Sequence, residues 1–208
     1  MGKKWLDIVY NEKSSIKLKQ HYKSWANDYD QDLIDWGYAY PSQLKKIISQ
    51  DIKLKKSSKI LDAGCGTGLV AEVLDDMNFK NIVGLDYSLD MLKIAKDKKI
   101  YTRLIQESLN KKTSLRSNQF DVVLCTGVLT SGHVGAKAIN ELIRVTKNKG
   151  YLILSIAESI YEKLGFKDEI EKNKEQISKI KISNPFIALP NHKSSATSRM
   201  HIYQKKLS

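Results

Sequence analysis

The segment Ile60-Leu61-Asp62-Ala63-Gly64-Cys65-Gly66-Thr67-Gly68-Leu69 places a glycine-rich loop between a short apolar run and a stretch whose apolar residues recur at helical spacing. This pattern predicts a β-strand, a tight loop and an α-helix in succession. Glycines at such a junction let the backbone approach a ligand closely, and the following helix offers free N–H groups at its amino end. Because ligands of open α/β sheets bind where strands end, the segment predicts a ligand site at this loop.

A second signal lies at the end of the next predicted strand, Ile82-Val83-Gly84-Leu85-Asp86, where Asp86 follows Gly68 by 18 residues. A carboxylate at about this distance, roughly 20 residues after the loop, can accept hydrogen bonds from the hydroxyls of a ribose. A dinucleotide loop would require glycine at position 69, where Leu69 stands. The loop therefore suits a nucleoside with an amino-acid tail, and Asp62 could take the ammonium group of that tail directly or through water.

Short apolar strands alternate with helical stretches after this segment, which predicts a doubly wound, mostly parallel α/β sheet with helices on both faces. The predicted strands cover residues 59–63, 82–86, 101–106, 120–126 and 150–156, and the predicted helices between them cover residues 69–77, 90–98 and 136–146. Ser88 is expected to cap the amino end of the second of these helices.

The two ends of the chain depart from this alternation. Residues 1–56 are helical in period and rich in aromatic side chains, which predicts an N-terminal helical cap. Residues 166–181 predict one charged amphipathic helix, and residues 182–189 and 197–205 predict an antiparallel strand pair at one edge of the sheet. We therefore expect a single domain over residues 1–208, with an α/β core that begins at residue 57.

Several motifs together resemble those of the class I S-adenosylmethionine (SAM)-dependent methyltransferases. The glycine loop resembles their first motif, and Leu85-Asp86-Tyr87-Ser88 with Met91-Leu92 resembles their second. Phe120-Asp121-Val122-Val123 resembles their fourth strand, and Leu142-Ile143-Arg144-Val145-Thr146-Lys147 resembles the helix before their fifth. The resemblance implies a Rossmann-like fold with a seven-stranded sheet whose C-terminal strand pair is antiparallel. It also implies an enzyme that transfers a methyl group from SAM and leaves S-adenosylhomocysteine.

A narrower resemblance is to the subgroup around the methyltransferase-like protein of the Williams–Beuren syndrome region. It is carried by Tyr22, Trp25-Ala26, Tyr29-Asp30 and Asp32, followed by the glycine loop. The segment after the fourth strand, Cys125-Thr126-Gly127-Val128, lacks the (Asp/Asn)-Pro-Pro-(Tyr/Phe) signature of methyltransferases that act on adenine amines or glutamine amides. The motifs specify SAM and leave the methyl acceptor open.

The resemblance also implies which side chains contact SAM. Tyr87 and Met91 are expected beside the adenine ring, Glu107 and Ser108 at its amino edge, and Thr126 between the methionine part and the acceptor. Tyr22, Trp25 and Tyr29 share one helical face, which is typical either of a helix packed on the sheet or of a lid that excludes water. The complete set of expected cofactor contacts is Tyr22, Trp25, Tyr29, Asp62, Gly64, Cys65, Gly66, Asp86, Tyr87, Met91, Glu107, Ser108 and Thr126.

His133 is the candidate catalytic base, because it lies on the loop after the fourth predicted strand and an imidazole titrates near neutral pH. Such a base is needed only if the nucleophile of the acceptor carries its proton at neutral pH. The two cysteines, Cys65 and Cys125, are too few for a disulfide framework or a structural zinc site, so no metal is expected.

The charge of the chain limits its partners. The net charge is +12, but 31 of the 35 basic residues are lysines and only 4 are arginines, and the lysines are scattered. This pattern favours a solvated lysine-rich surface over a nucleic-acid interface, and it leaves an anionic small-molecule acceptor open. No apolar run approaches the roughly 20 residues that span a bilayer, so we expect no membrane partner. The first residues lack the apolar core of a signal peptide, and a cytoplasmic location is expected.

Two alternatives remain at this stage. A nicotinamide-dependent oxidoreductase would share the strand, loop and helix, although Leu69 counts against it. A basic, RNA-associated SAM-binding protein would explain the net charge, and it predicts RNA binding that weakens steeply with salt. The sequence leaves the oligomeric state open.

Overall fold

The computed structural model describes residues 5, 8, 15–130 and 134–207. Over residues 15–50 it contains the helices α1 (Ser15–Trp25), α2 (Tyr29–Asp35) and α3 (Tyr40–Gln50). The alternating region follows as β1 (Ile60–Ala63), α4 (Leu69–Asp76), β2 (Ile82–Asp86), α5 (Leu89–Asp97), β3 (Arg103–Gln106), β4 (Phe120–Leu129), α6 (Ala138–Val145) and β5 (Thr146–Ala157). The C-terminal part contains α7 (Glu158–Tyr161), α8 (Phe166–Lys172), β6 (Ile177–Ile182), β7 (Phe186–Ile187) and β8 (Thr197–Lys205).

The described strands form one eight-stranded sheet with the order β3-β2-β1-β4-β5-β8-β6, and the two-residue β7 pairs with β8 beside this path. Strands β1 to β5 are parallel, and β8 runs antiparallel to both β5 and β6. The predicted α/β fold, with its antiparallel C-terminal strands, is confirmed, and the path holds the seven strands that the resemblance implies. The order reverses at β1, which lies between β2 and β4, so the ends of these strands open a crevice there.

Both faces of the sheet are covered, which explains the continuous apolar runs of its central strands. Successive side chains of a strand point to opposite faces. Ile60 belongs to a core cluster that includes residues of α3 and α4, whereas its neighbour Leu61 belongs to a second cluster that includes residues of α6. The helices α1 to α3 therefore pack on the same face as α4.

Ser88 caps the amino end of α5, as the sequence predicts. Ser88 is the N-cap residue, and its Oγ accepts a hydrogen bond of 3.4 Å from the backbone N–H of Met91. This cap fixes the start of α5 directly after the end of β2. The residues on either side of Ser88 consequently have defined positions at the mouth of the crevice.

The C-terminal region differs from its prediction in two ways. The helix predicted over residues 166–181 ends at Lys172, and residues 177–182 form β6 instead. Asn173 ends the helix, because its Nδ2 donates to Glu169 O at 2.9 Å and to Asn140 Oδ1 at 2.8 Å. The isoleucines that follow pair with β8, and this tertiary pairing overrides the helical spacing of the charges. Of the strand predicted over residues 182–189, Ile182 pairs with β8 as the last residue of β6, and Phe186 and Ile187 pair with it as β7, so β6 is the main partner of β8.

The fifth strand is also longer than predicted. Phe120 pairs with Thr146 and Val122 pairs with Tyr151, so residues 147–149, which lie between the predicted helix and strand, belong to a bulge within β5. Lys147 Nζ lies 2.8 Å from Asp121 Oδ1 across this bulge. Among the described helices, none is long and apolar enough to cross a membrane.

Candidate functional site

The glycine loop after β1 has a left-handed backbone at both Gly64 and Gly66, but the space beside these two residues differs. Gly64 has a φ of +79°, and a Cβ at this position would lie 2.3 Å from Cγ2 of Val128. Gly66 has a φ of +53°, but a Cβ there would have no atom within 4 Å. Gly66 also lines the crevice, so the open space beside it belongs to a ligand-sized cavity rather than to the core. The loop thus presents bare backbone to the cavity.

Asp86 binds this loop to the end of β2. Its Oδ2 accepts a hydrogen bond of 2.9 Å from the backbone N–H of Gly66, and its Oδ1 accepts one of 2.8 Å from the N–H of Ser88. Burial raises the pKa of Asp86, and these backbone hydrogen bonds oppose the rise. A carboxylate oxygen has two acceptor positions, so each oxygen of Asp86 can still accept a hydroxyl hydrogen. Capping and ribose binding are therefore compatible at this residue.

Asp62 lies in β1 with only 2% of its surface exposed, and it lines the cavity. Its Oδ2 accepts a hydrogen bond of 2.7 Å from the hydroxyl of Tyr101. Burial raises the pKa of Asp62 to about 7, although the Tyr101 hydrogen bond lowers it, and the nearby charge of Asp86 raises it further. Asp62 is therefore poised between its neutral and ionised forms near neutral pH.

Tyr101 is absent from the site residues that the sequence predicts. It precedes β3, and its ring reaches across β2 at Gly84, where a side chain would collide with it. The available signal was Gly84 itself, because a glycine inside a strand often marks the close approach of another group. The pattern alone could not show which residue approaches.

The aromatic residues of the cap have different positions. Tyr22 and Tyr29 line the cavity, and the ring of Tyr22 lies edge-on to that of Tyr87, with 6.4 Å between centroids. Trp25 does not line the cavity, which corrects its predicted role as a cofactor contact. It is buried behind the two tyrosines, 6.1 Å from Tyr22 and 4.6 Å from Tyr29 between ring centroids. Its indole N–H donates to Asp32 at 2.7 Å, which holds it inside the cap.

A polar network joins the cap to the loop. The hydroxyl of Thr67 donates to Oδ1 of Asp30 in α2. Nζ of Lys98 lies 2.6 Å from Oδ2 of the same Asp30 and 2.6 Å from Oε1 of Glu72 in α4. The sequence did not indicate this network, because the partners come from four separate segments. It fixes the cap over the glycine loop.

The carboxyl ends of β3 and β4 complete the site. Glu107 lines the cavity, and its carboxylate also accepts hydrogen bonds from the backbone N–H and the hydroxyl of Ser114. Thr126 Oγ1 and the Tyr87 hydroxyl are buried without a hydrogen-bond partner. Buried polar groups are nearly always paired, so these two hydroxyls, which line one cavity and have no protein partner, are available to a polar ligand or to water.

All the predicted cofactor contacts except Trp25 line this one cavity, including Cys65, Met91 and Ser108. The empty space within the cavity and its open mouth, including solvent at the mouth, is about 1040 Å³. His133, the candidate base, lies outside the described residues.

Comparison with known proteins places the chain in a family. Residues 61–154 match the methyltransferase domain family. Methyltransferase-like protein 27 of Homo sapiens is 33% identical over 171 residues, which cover 81% of this chain and 69% of that protein. A ubiquinone/menaquinone biosynthesis C-methyltransferase of Campylobacter jejuni is 31% identical over 107 residues, which cover 49% of this chain and 45% of that protein.

A solved structure agrees with the fold. A SAM-dependent methyltransferase of Thermotoga maritima, described as a possible histamine N-methyltransferase, superimposes with a TM-score of 0.60 at 20% identity, over 89% of this chain and 98% of that one. The chain belongs to the methyltransferase family, and its fold is that of this SAM-dependent methyltransferase. The resemblance stated from the sequence is confirmed, and the nicotinamide alternative loses its support.

Proposed function

We propose that this methyltransferase binds SAM in the cavity between the glycine loop and Asp86, and that it methylates a small, uncharged acceptor beside the end of β4. The observation that carries the proposal is the position of Asp86. Its carboxylate holds Gly66 and Ser88 and still has acceptor positions for two ribose hydroxyls. A residue that only capped a helix would not need to line a cavity.

The other residues of the cavity fit the chemistry of SAM. The space beside Gly66 accepts a ligand against bare backbone. The carboxylates of Asp62, Asp86 and Glu107 line the same cavity, and they suit a ligand that carries a sulfonium and an ammonium charge. The unpaired hydroxyls of Thr126 and Tyr87 offer hydrogen bonds to its polar atoms.

The proposed acceptor half lies beside Thr126, and we assign to it neutral side chains of the cavity lining. These are Leu33 and Tyr38 from the cap, with Val128 and Val134 from the chain after Thr126. Among the described residues that line the cavity, none is a lysine or arginine. The sequence left an anionic acceptor open, but a cavity whose charged lining is carboxylate repels anions. We therefore favour an uncharged molecule with an oxygen, nitrogen, sulfur or carbon nucleophile.

The chain contributes orientation and a dry site to the reaction. SAM supplies an electrophilic methyl group for in-line displacement when it is bound. Tyr22 and Tyr29 line the cavity and would exclude water from bound SAM, while Asp62 and Asp86 would hold opposite ends of the cofactor. Such positioning can lower a barrier by about 7–11 kcal/mol. His133 remains a predicted base, needed only for an acceptor that is protonated at neutral pH.

The test is a screen with methyl-labelled SAM against a cell extract separated into metabolite, protein and RNA fractions. The wild-type chain is expected to label molecules of the metabolite fraction, and the Asp86→Asn variant is expected to label them far less. Label that appears only in RNA, together with RNA binding that weakens steeply with salt, would support the RNA-associated alternative instead. The cytoplasmic location and the single-domain division stay predictions.

A further inference from the structure

The carboxylate of Asp62 is surrounded by groups that do not neutralise it. Tyr101 donates the hydrogen bond of 2.7 Å to Oδ2. The other titratable groups near it are Cys65 in the glycine loop, Asp86 at the end of β2 and Cys125 in β4, and each of them is neutral or negative. Within the described residues, Tyr101 is thus the hydrogen-bond donor that the structure provides for this buried side chain.

The ring of Tyr101 occupies a slot built from two glycines. A Cβ at Gly84 would lie 2.9 Å from Cε1 of Tyr101, and a Cβ at Gly68 would lie 3.1 Å from its Cε2. Gly84 pairs directly with Asp62 across β1 and β2. The absence of a side chain at Gly84 therefore opens the path by which the phenol reaches the carboxylate. Because the ring is confined on both sides, the direction of its hydroxyl is fixed.

This contact sets the direction and the charge of Asp62 together. One carboxylate oxygen accepts the phenol hydrogen, which leaves the remaining acceptor positions of Asp62 for the cavity that it lines. An ammonium group binds the ionised carboxylate more strongly than the neutral acid. A hydrogen-bond donor stabilises the ionised form of a carboxyl group, whereas burial destabilises that form. The phenol thus favours the form that an ammonium group requires.

We propose that Tyr101 is a positioning residue that holds the Asp62 carboxylate ionised and aimed at the ammonium group of SAM. This inference rests on the proposed function of the cavity. The pKa of Asp62 is about 7, so part of the protein carries a protonated Asp62 at neutral pH. SAM binds the form in which Asp62 is ionised, so binding releases protons from this residue. The affinity for SAM rises as the pH approaches 7 from below and levels off above it, until the α-amino group of SAM begins to lose its proton, roughly near pH 8. The Tyr101 phenol stays protonated throughout, because burial raises its own pKa.

The test is the SAM dissociation constant of the full chain from pH 5.5 to 9, measured by titration calorimetry. The Tyr101→Phe variant keeps the ring and removes the donor, so the pH at which affinity levels off moves upward. Binding at pH 7 is expected to weaken roughly five- to tenfold, and the difference narrows at high pH. Tyr151→Phe, a change in β5 away from the cavity lining, is the matched control and leaves the profile unchanged.

A second comparison separates positioning from a structural role. In an Asp62→Asn background, Tyr101→Phe is expected to change the SAM affinity less than twofold, because its effect passes through the carboxylate. The inference is overturned if Tyr101→Phe shows the same dependence of SAM affinity on pH as the wild type, or if it loses as much affinity in the Asp62→Asn background as in the wild-type background. In either case, SAM binding by the wild type would still uphold the proposed function. Failure of the wild type itself to bind SAM overturns both.

Discussion

The backbone N–H of Gly66 donates a hydrogen bond of 2.9 Å to Oδ2 of Asp86, which joins the glycine loop to the end of β2. Two parts of the sequence motif that are 20 residues apart are therefore in direct contact within the protein itself. The same carboxylate holds the N–H of Ser88, so one side chain fixes both the loop and the start of α5. The side chain of Asp86 therefore fixes two walls of the cavity, the glycine loop and the start of α5.

The first prediction concerns this carboxylate. In Asp86→Asn, one amide –NH2 group replaces an acceptor, so the side chain cannot accept from both Gly66 and Ser88 and cannot receive two ribose hydroxyls. We expect the affinity for SAM to fall roughly 10- to 100-fold in titration calorimetry, since a hydrogen bond to a charged group contributes about 1.5–3 kcal/mol. Asp90→Asn is the control, because Asp90 pairs with Lys93 on α5 and does not line the cavity. Equal affinities of Asp86→Asn and wild type would contradict the assignment.

The second prediction concerns alanine substitutions of the two loop glycines, one of which should mainly weaken SAM binding and the other mainly destabilise the fold. In Gly66→Ala the left-handed backbone is strained, so we expect the free energy of unfolding to fall by about 1–2 kcal/mol. The added methyl group projects into the open space of the cavity, so we expect the affinity for SAM to fall more than tenfold. In Gly64→Ala the methyl group collides with Val128, so we expect the free energy of unfolding to fall by roughly 3–5 kcal/mol. Urea denaturation and SAM titration of both variants measure the difference. A Gly66→Ala variant that binds SAM as tightly as the wild type would contradict the placement of SAM beside Gly66.

The third prediction concerns the dependence of stability on pH. The pKa of Asp62 is about 7 in the folded chain and 3.8 for an ordinary aspartate, so the folded state binds more protons than the unfolded state between these values. Wild-type stability is therefore reduced as the pH rises through this range. Relative to wild type, Asp62→Asn should gain up to about 4 kcal/mol in free energy of unfolding between pH 4 and pH 8. Urea denaturation without SAM at both pH values checks this, and a difference that does not change with pH would refute it.

The fourth prediction uses the unpaired hydroxyl of Thr126. Thr126→Val removes a buried polar atom without a partner, so we expect the ligand-free protein to become more stable by about 0.5–2 kcal/mol. The variant should also bind SAM or turn it over less well, because the ligand loses a hydrogen-bond partner. Thr113→Val is the matched control, since the hydroxyl of Thr113 donates to Glu141, and this change should destabilise the protein. Loss of stability in Thr126→Val would indicate that the protein itself already satisfies this hydroxyl.

Much of the fold could be predicted because its signals are local. The glycine loop, the strand that ends at Asp86 and the cap at Ser88 depend on neighbouring residues, and each lies where the pattern placed it. The boundary at Lys172 was missed, because residues 177–182 become a strand only through pairing with β8, which lies farther along the chain. Charge spacing alone favours a helix there, and the tertiary partner decides the outcome.

The site, like the fold, has features that the local sequence predicts and features that depend on tertiary packing. The cavity positions of Asp62 and Asp86 follow from strand ends that the sequence marks. The contact of Tyr101 with Asp62 joins residues 39 positions apart and depends on the space above Gly84, which no periodicity encodes. The sequence predicts one helical face for Tyr22, Trp25 and Tyr29, but α1 ends at Trp25 and α2 begins at Tyr29, and the packing of the cap turns Trp25 inward. A helical face identifies which side chains lie together, and only the packed structure shows which of them reach the cavity.

The most direct test of the central claim is a crystal structure of the chain grown with excess SAM. We expect clear density for the adenosine part between Gly66 and Asp86, with both ribose hydroxyls within hydrogen-bonding distance of the Asp86 carboxylate. An empty cavity at saturating SAM, or SAM bound elsewhere on the chain, would contradict the account.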